Sequence, residues 1–530
     1  MSDNKNQLAS ALFQGADALR SKMDANEYKN YLLGIVFFKY LSDNLLYEVA
    51  DEIGDGREQT TLDQAQILYN ENADDPDLQD VLEDTLAYSI SPDNTFTTMM
   101  KHVNDHTFQV SNLSAAFKEI EAYGGTFEGL FNDIDLFSQR LGNSAQKQAD
   151  TISNVLSAIS KVELVKANND VLGDAYEYLI KQFASETGKK AGEFYTPGQV
   201  SELLTRLTLV GRNYPTGMNV YDPTMGSGSL LLNFKKYAQK KDEIIYYGQE
   251  INTTTFNLAR MNMILHKVDP KNYEFKNADT LDEDWPPAAQ TPFDSVVMNP
   301  PYSQNWSAAK GFLDDPRFSK YGVLPPKSRA DFAFLLHGYY HLKNSGTMAI
   351  VLPHGVLFRG GSEGKIRRKL IENGSIDAVI GLPSNLFYNT GIPTAIVVLK
   401  KDKSDRNIFF IDASKGFEKA TNQNVLREQD IQKILNTYKE RQDVDKYAHL
   451  AAFDEIKDND FNLNIPRYVD TFEPEPDVDI KQVAKKIRDL DQQITNSEQD
   501  LVAMLSQLTS DDQKVMEGLK DIINDFKGDK

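Results

Sequence analysis

Apolar positions near the start of the chain recur every three or four residues: Leu8, Leu12, Ala16 and Leu19, then Tyr31, Leu32, Ile35, Val36, Tyr40 and Leu41. That period lays one apolar face along a helix. The spacing returns over 111–122 and 148–184, so residues 1–165 read as an α-helical N-terminal domain for packing or partner contacts. From about Glu193 short apolar runs alternate with helical stretches. Strands are expected at 218–222, 244–248, 273–276, 294–298, 347–352, 376–381, 394–400 and 407–411. Helices are expected at 198–210, 229–240, 252–266, 329–343 and 363–373. Such alternation predicts an α/β domain over 166–412, with a mainly parallel, doubly wound sheet covered on both faces. Ligands in such sheets sit at the carboxyl ends of the strands. Residues 413–474 read as a helical and loop extension ending in a Pro- and acid-rich linker. Over 475–530, Ile480, Val483, Ile487, Leu490, Ile494, Leu501, Met504, Leu505 and Leu508 form a heptad-like stripe, suited to docking a partner.

Composition narrows the chemistry. Among 530 residues there is no cysteine, which excludes disulfides, Cys-ligated zinc and thiol nucleophiles. His337 and His341 share a helical face but lack a third ligand, so no metal is expected. Apolar runs such as 349–352 are far shorter than the ~20 residues of a membrane span. Met1-Ser2-Asp3-Asn4-Lys5 lacks a signal-peptide layout, so a cytoplasmic chain without membrane contact is expected. The formal charge is −21, and residues 51–85 alone hold twelve acids against Arg57. Residues 354–370 carry Arg359, Lys365, Arg367, Arg368 and Lys369 against Glu363, a modest basic segment. A chain so charged holds DNA poorly without help.

Four strand ends carry the candidate chemistry. The first reads Asp222-Pro223-Thr224-Met225-Gly226-Ser227-Gly228-Ser229: a strand ends in an acid, then glycines allow close backbone approach before a helix begins. Leu231 stands where a dinucleotide fingerprint has its third glycine, which disfavours a nicotinamide enzyme. The next strand ends near Glu250, placed to accept the hydroxyls of a ribose. A third ends before Asp279, whose carboxylate could accept from an adenine amino group. An amino-acid head, a ribose and an adenine together describe S-adenosylmethionine. The fourth strand runs into Asn299-Pro300-Pro301-Tyr302. Two prolines remove two backbone donors and leave carbonyls, with the Asn299 amide oxygen, as paired acceptors beside a flat ring. Paired acceptors can draw an exocyclic base amine toward a tetrahedral, nucleophilic geometry. Methylation at cytosine C5 is excluded, because it needs a thiolate.

In this order, Asp222–Leu230, Glu250, Asp279 and Asn299–Tyr302 resemble the motifs of the amino-methylating DNA methyltransferases. Glu193-Phe194-Tyr195-Thr196-Pro197, with Gly198 after it, resembles the cofactor-contacting motif of the subclass that begins with it. The whole layout is similar to the modification (M) subunit of a type I restriction–modification system. The resemblance implies an α/β Rossmann-like catalytic domain over 166–412 that uses S-adenosylmethionine, with asparagine at the first tetrapeptide position favouring adenine N6. It further implies double-stranded DNA, a specificity subunit binding two copies of this chain, and a restriction subunit as partners. Met225 is a departure within the glycine loop that the sequence does not explain. The segment 382–393 resembles the family region that sets an aromatic against the target base; Phe387 is preferred over Tyr388, the alternative being that either packs in the core. The loop 303–328, with Trp306, Lys310, Arg317, Lys320 and Lys327, either closes over an extruded base and touches phosphates or is a mobile surface loop. A self-sufficient methyltransferase would need a target-recognition region, and 413–464 is short for one. A non-catalytic scaffold would not need the intact tetrapeptide.

Overall fold

The computed structural model describes residues 2–165, 173, 176–177, 180, 196–282, 292–387, 391–420, 423–472 and 479–527. The chain divides into two compact units, Met1–Thr471 and Phe472–Lys530.

The first unit opens with seven helices: α1 (Ser2–Arg20), α2 (Ala25–Ile53), α3 (Leu62–Asn72), α4 (Pro76–Leu86), α5 (Phe96–Asn104), α6 (Val110–Glu121) and α7 (Ala145–Ile159). Over its middle, α2 buries Leu32, Leu33, Ile35, Val36, Phe37 and Phe38 in succession, so it is the centre of this domain rather than an amphipathic cover. The acidic stretch 51–85 forms two short helices because it carries two caps: Thr61 in a capping box with Gln64, and Asp75 followed by Pro76.

The α/β part contains α8 (Gly198–Leu209), β1 (Met218–Asp222), α9 (Ser229–Tyr237), β2 (Ile244–Glu250), α10 (Thr253–Leu265), β3 (Tyr273–Asn277) and β4 (Phe293–Met298). There follow α11 (Asp331–His341), β5 (Leu342–Pro353), α12 (Gly361–Glu372), β6 (Ile376–Gly381), β7 (Thr394–Lys400) and β8 (Ile408–Asp412). A short antiparallel pair, β9 (Glu418–Lys419) and β10 (Asn424–Val425), precedes α13 (Glu428–Glu440), β11 (Ala448–Ala451) and α14 (Phe453–Asp458). Among the described residues nine strands form one sheet in the order β11-β8-β6-β7-β5-β4-β1-β2-β3. It is mainly parallel, as the alternation predicts, but β7 runs antiparallel between β5 and β6, and β11 antiparallel beside β8. β4 and β6 are buried at every position, as expected where helices cover both faces. Strand order reverses between β1 and β4, so the crevice for a ligand opens at their carboxyl ends.

The helical domain is tied to the sheet through α10, whose Leu258, Met261 and Leu265 belong to the same apolar core as α2. On that helix Arg260 donates to the carbonyls of Gly125, Thr126 and Glu128.

The second unit contains α15 (Ile480–Leu505), capped by the Asp479 carboxylate, and α16 (Gln513–Lys527). These two helices contact each other, but within their own unit they leave the stripe of α15 uncovered, with Ile480 79% exposed and Ile487, Leu490 and Ile494 exposed as well. No helix among the described residues is long and apolar enough to cross a membrane.

Candidate active site

β1 pairs in parallel with β2 on one side and β4 on the other, with Asp222 opposite Gly248 and Tyr221 opposite Val296. This register gathers Asp222, Glu250 and Asn299 at one edge. Asp222 is buried, and among the described residues no lysine or arginine pairs with it. Burial, helped by the nearby charge of Glu250, pushes its carboxyl up to about 8, against hydrogen bonds from the Thr224 N–H and hydroxyl that pull it down. A buried acid in that condition suits the ammonium of an amino-acid ligand.

The glycine loop is held from three sides. Gly226 and Gly228 take φ of +55° and +78°, a region that only glycine enters without strain. Asn262 on α10 donates to the Ser227 carbonyl, and the Ser227 and Ser229 hydroxyls are 3.1 Å apart. Met225 now has an explanation. Its thioether lies only 2.3 Å from where a Cβ on Gly248 would stand, so the methionine fills the gap that the β2 glycine leaves. The Met225 N–H also donates to the Gln249 carbonyl, locking the loop onto β2.

Glu250 and Asp279 lie at the ends of neighbouring strands, both partly buried. One Glu250 oxygen caps the Asn252 N–H, and Asp279 accepts from the Leu281 N–H. Thr280 donates to the Pro223 carbonyl, which fastens the Asp279 segment to the glycine loop. Directly after Glu250, at the carboxyl end of β2, Ile251 is 61% exposed. Periodicity could not single it out; its signal was an isoleucine directly after the strand-end acid.

Asn299 is buried, and its amide is oriented at both ends: Nδ2 donates to the Thr196 hydroxyl at 3.2 Å, and Oδ1 accepts from the Tyr302 hydroxyl at 2.7 Å. Burial, with the charge of Asp331, raises the Tyr302 phenol well above its usual value, so it stays a proton donor. Thr196 and Pro197 lead into α8, which begins at Gly198. Glu193, Phe194, Tyr195 and Tyr388 lie outside the described residues. Phe387 is only 2% exposed, and its ring meets Tyr302 edge-on at 5.9 Å. It faces Tyr302 from the core side.

The loop 303–328 is anchored by its aromatic residues, and its arginine is not exposed to reach a phosphate. Trp306, Phe318 and Tyr321 are buried against the sheet. Arg317 is 1% exposed. Its guanidinium grips Asp315, the carbonyls of Thr280 and Leu281, and the Nδ1 of His337. His337 in turn contacts the Tyr221 hydroxyl, which donates to Gln249. Burial, with His341 and Arg317 nearby, holds His337 well below the usual imidazole range, so it is neutral. Arg317→Ala strands these partners in the core and should lower stability by roughly 3–5 kcal/mol; a thermal-melting midpoint unchanged from wild type would contradict it. Part of the basic segment is also spent inside the fold, although Lys365, Arg368 and Lys369 stay exposed. Arg367 is buried on three carbonyls, and Arg359 faces Asp331 and Glu363. Among the described residues no group of three or more acids and histidines could hold a metal.

Comparison with known proteins places this geometry. Residues 167–477 match the N-6 DNA methylase family, and residues 8–159 match the HsdM N-terminal domain. The methylase subunit of the type I restriction enzyme MpnII from Mycoplasma pneumoniae is 34% identical, covering 99% of this chain and 97% of its own. That of MjaVIII from Methanocaldococcus jannaschii is 32% identical over 92% of this chain and 82% of its own. A solved methyltransferase subunit of the type I restriction–modification system of Streptococcus thermophilus is 56% identical, with a TM-score of 0.85, covering 88% of this chain and all of that one. The chain therefore belongs to the N-6 DNA methylase family, as a type I modification subunit that transfers methyl groups from S-adenosylmethionine to adenine N6 in DNA.

Proposed function

We propose that the two halves of the crevice divide the reaction between them. On the cofactor side, Asp222 takes the ammonium of S-adenosylmethionine, and Pro223, Thr224, Met225, Gly226, Ser227, Gly228 and Ser229 shape the loop around its amino-acid head. Glu250 accepts from the ribose hydroxyls, Asp279 accepts from the adenine amine, and Ile251 lies against the adenine face. Thr196, Pro197 and Gly198 flank the cofactor from the other side, and Glu193, Phe194 and Tyr195 before them complete the cofactor-contacting motif in the sequence. The cofactor supplies a methyl group on a sulfonium, an electrophile that needs no further activation.

On the base side, Asn299 Oδ1 and the carbonyls around Pro300 and Pro301 accept the protons of the adenine amine, while Tyr302 stacks on the ring. An amide oxygen has two acceptor sites, so Oδ1 can hold the Tyr302 hydroxyl and a substrate proton together. Phe387 supports Tyr302 from behind. Neither acceptor is basic enough to keep a proton, which leaves to solvent after methyl transfer. The observation that carries this reading is the Asn299 amide, oriented by Thr196 and Tyr302 at the strand end beside Asp222.

The Asp222 assignment has a calorimetric test. Its folded value of about 8 lies above the ordinary 3.8, so between those limits the folded chain holds a proton that the unfolded chain has lost, and this contribution to stability shrinks as pH rises toward 8. Seating an ammonium against Asp222 favours the carboxylate and expels that proton. Binding at pH 7 should therefore release close to one proton, read from the dependence of the heat on buffer ionisation enthalpy. Asp222→Asn should bind more weakly and release none; equal release from both proteins would remove Asp222 from the site.

In the assembled enzyme, two copies of this chain join one specificity subunit through the α15 stripe, with a restriction subunit completing the complex. The uncovered apolar residues of α15 and the net charge of −21 support this reading, because an opened duplex needs phosphate contacts and sequence readout from elsewhere. DNA as substrate supports work in the cytoplasm of a single-celled organism. Mass measurement of the co-purified complex tests the two-to-one ratio.

A further inference from the structure

We propose that Asp331 is a positioning residue for methyl transfer, acting through the Ser303 N–H to hold the far end of the Asn299–Tyr302 tetrapeptide. β4 secures the near end of that segment by pairing with β1 and β5. Beyond Tyr302 the chain turns sharply, with Ser303 at φ +52°, and the side chain of Ser303 is exposed. The peptide N–H of Ser303 is donated inward, 2.8 Å to Oδ1 of Asp331. That N–H lies in the peptide plane shared with the Tyr302 carbonyl, so fixing it fixes where the tetrapeptide ends.

Asp331 is well placed for this. It is the first residue of α11, it is wholly buried, and its second oxygen faces the Arg359 guanidinium at 3.3 Å. Arg359 is itself held by Glu363 at 3.5 Å and through its carbonyl by Arg367. The next residue back, Ala330, donates to the Gln304 carbonyl, so a second bond ties the same turn to the same helix end. Strand and helix start thereby clamp the acceptors from opposite ends. A displacement of about 1 Å there is enough to cost on the order of 100-fold in rate.

The inference rests on the reading of Asn299–Tyr302 as the acceptor site, and the test separates the two. The complex that purifies with the full-length chain would carry Asp331→Ala, Asp331→Asn or Asp331→Glu. Three quantities are read: single-turnover methyl transfer to unmethylated host DNA at saturating S-adenosylmethionine, cofactor affinity by calorimetry, and the melting midpoint. Asp331→Ala should lower the rate by roughly 30- to 100-fold with cofactor affinity nearly unchanged. Asp331→Asn, whose amide oxygen still accepts from Ser303, should recover most of the rate. Asp331→Glu keeps the charge opposite Arg359 but moves the acceptor by one methylene, and should be slowed by at least about tenfold. If Asp331→Ala does not fold, the contrast between asparagine and glutamate carries the test. A normal rate in the alanine or glutamate variant, or an asparagine variant as slow as the alanine one, overturns the proposal. Should Asn299→Ala itself methylate normally, the underlying acceptor reading fails instead.

Discussion

Asn299→Ala should bind S-adenosylmethionine as tightly as the wild type and transfer methyl groups at least about 1,000-fold more slowly. Losing one aligned hydrogen-bonding group at a developing charge costs about 100- to 1,000-fold in other active sites. Here the loss is larger, because the side chain does two things. In the proposed reading it presents Oδ1 to the substrate amine, and it also accepts the Tyr302 hydroxyl, which steadies that ring. Alanine removes the acceptor and frees the tyrosine together. In the proposed reading the cofactor is held elsewhere, on the ends of β1 and β2 and the turn after β3, so its affinity is a clean control. Tyr302→Phe should retain part of the rate, since the ring still stacks while the amide loses one of its two restraints. Single-turnover assays with calorimetry read both quantities. A normal rate in Asn299→Ala would mean that the amine is activated by other groups.

Removing residues 475–530 should abolish site-specific methylation of host DNA and leave cofactor binding intact. The deleted segment belongs to a unit of its own, and none of its described residues belongs to the apolar cores around β1 or α2. What it removes is the α15 stripe. An isolated amphipathic helix gains its stability by burying that face against another surface. If the stripe seats the specificity subunit as proposed, target readout goes with it. Ile487→Asp together with Ile494→Asp should reproduce the defect in the full-length chain, by placing charges in the stripe without shortening the helix. Co-purification and methylation mapping read the outcome. A truncated chain that still assembles and methylates its sites would move the docking surface elsewhere and leave the catalytic assignments untouched.

Local pattern determined much of this protein. Strand ends at Asp222, Glu250 and Asn299 were legible because a buried parallel strand is a short apolar run, and the first polar residue after it falls on the carboxyl edge. The reversal of β7 was not, because an apolar strand reads the same in either direction; only its pairing with β5 and β6 decides. Tertiary structure also decided which charges are free. Arg317 and Arg367 look like phosphate ligands along the chain, yet both are consumed by carbonyls that lie 36 and 37 residues away for one and as far as 94 for the other. Met225 makes sense only against Gly248 on the next strand, and one end of the Asn299 amide is held by Thr196, 103 residues before it. Periodicity records which face of an element is buried. The partner that a buried polar group finds there depends on chain closure over long separations, and no local pattern encodes it.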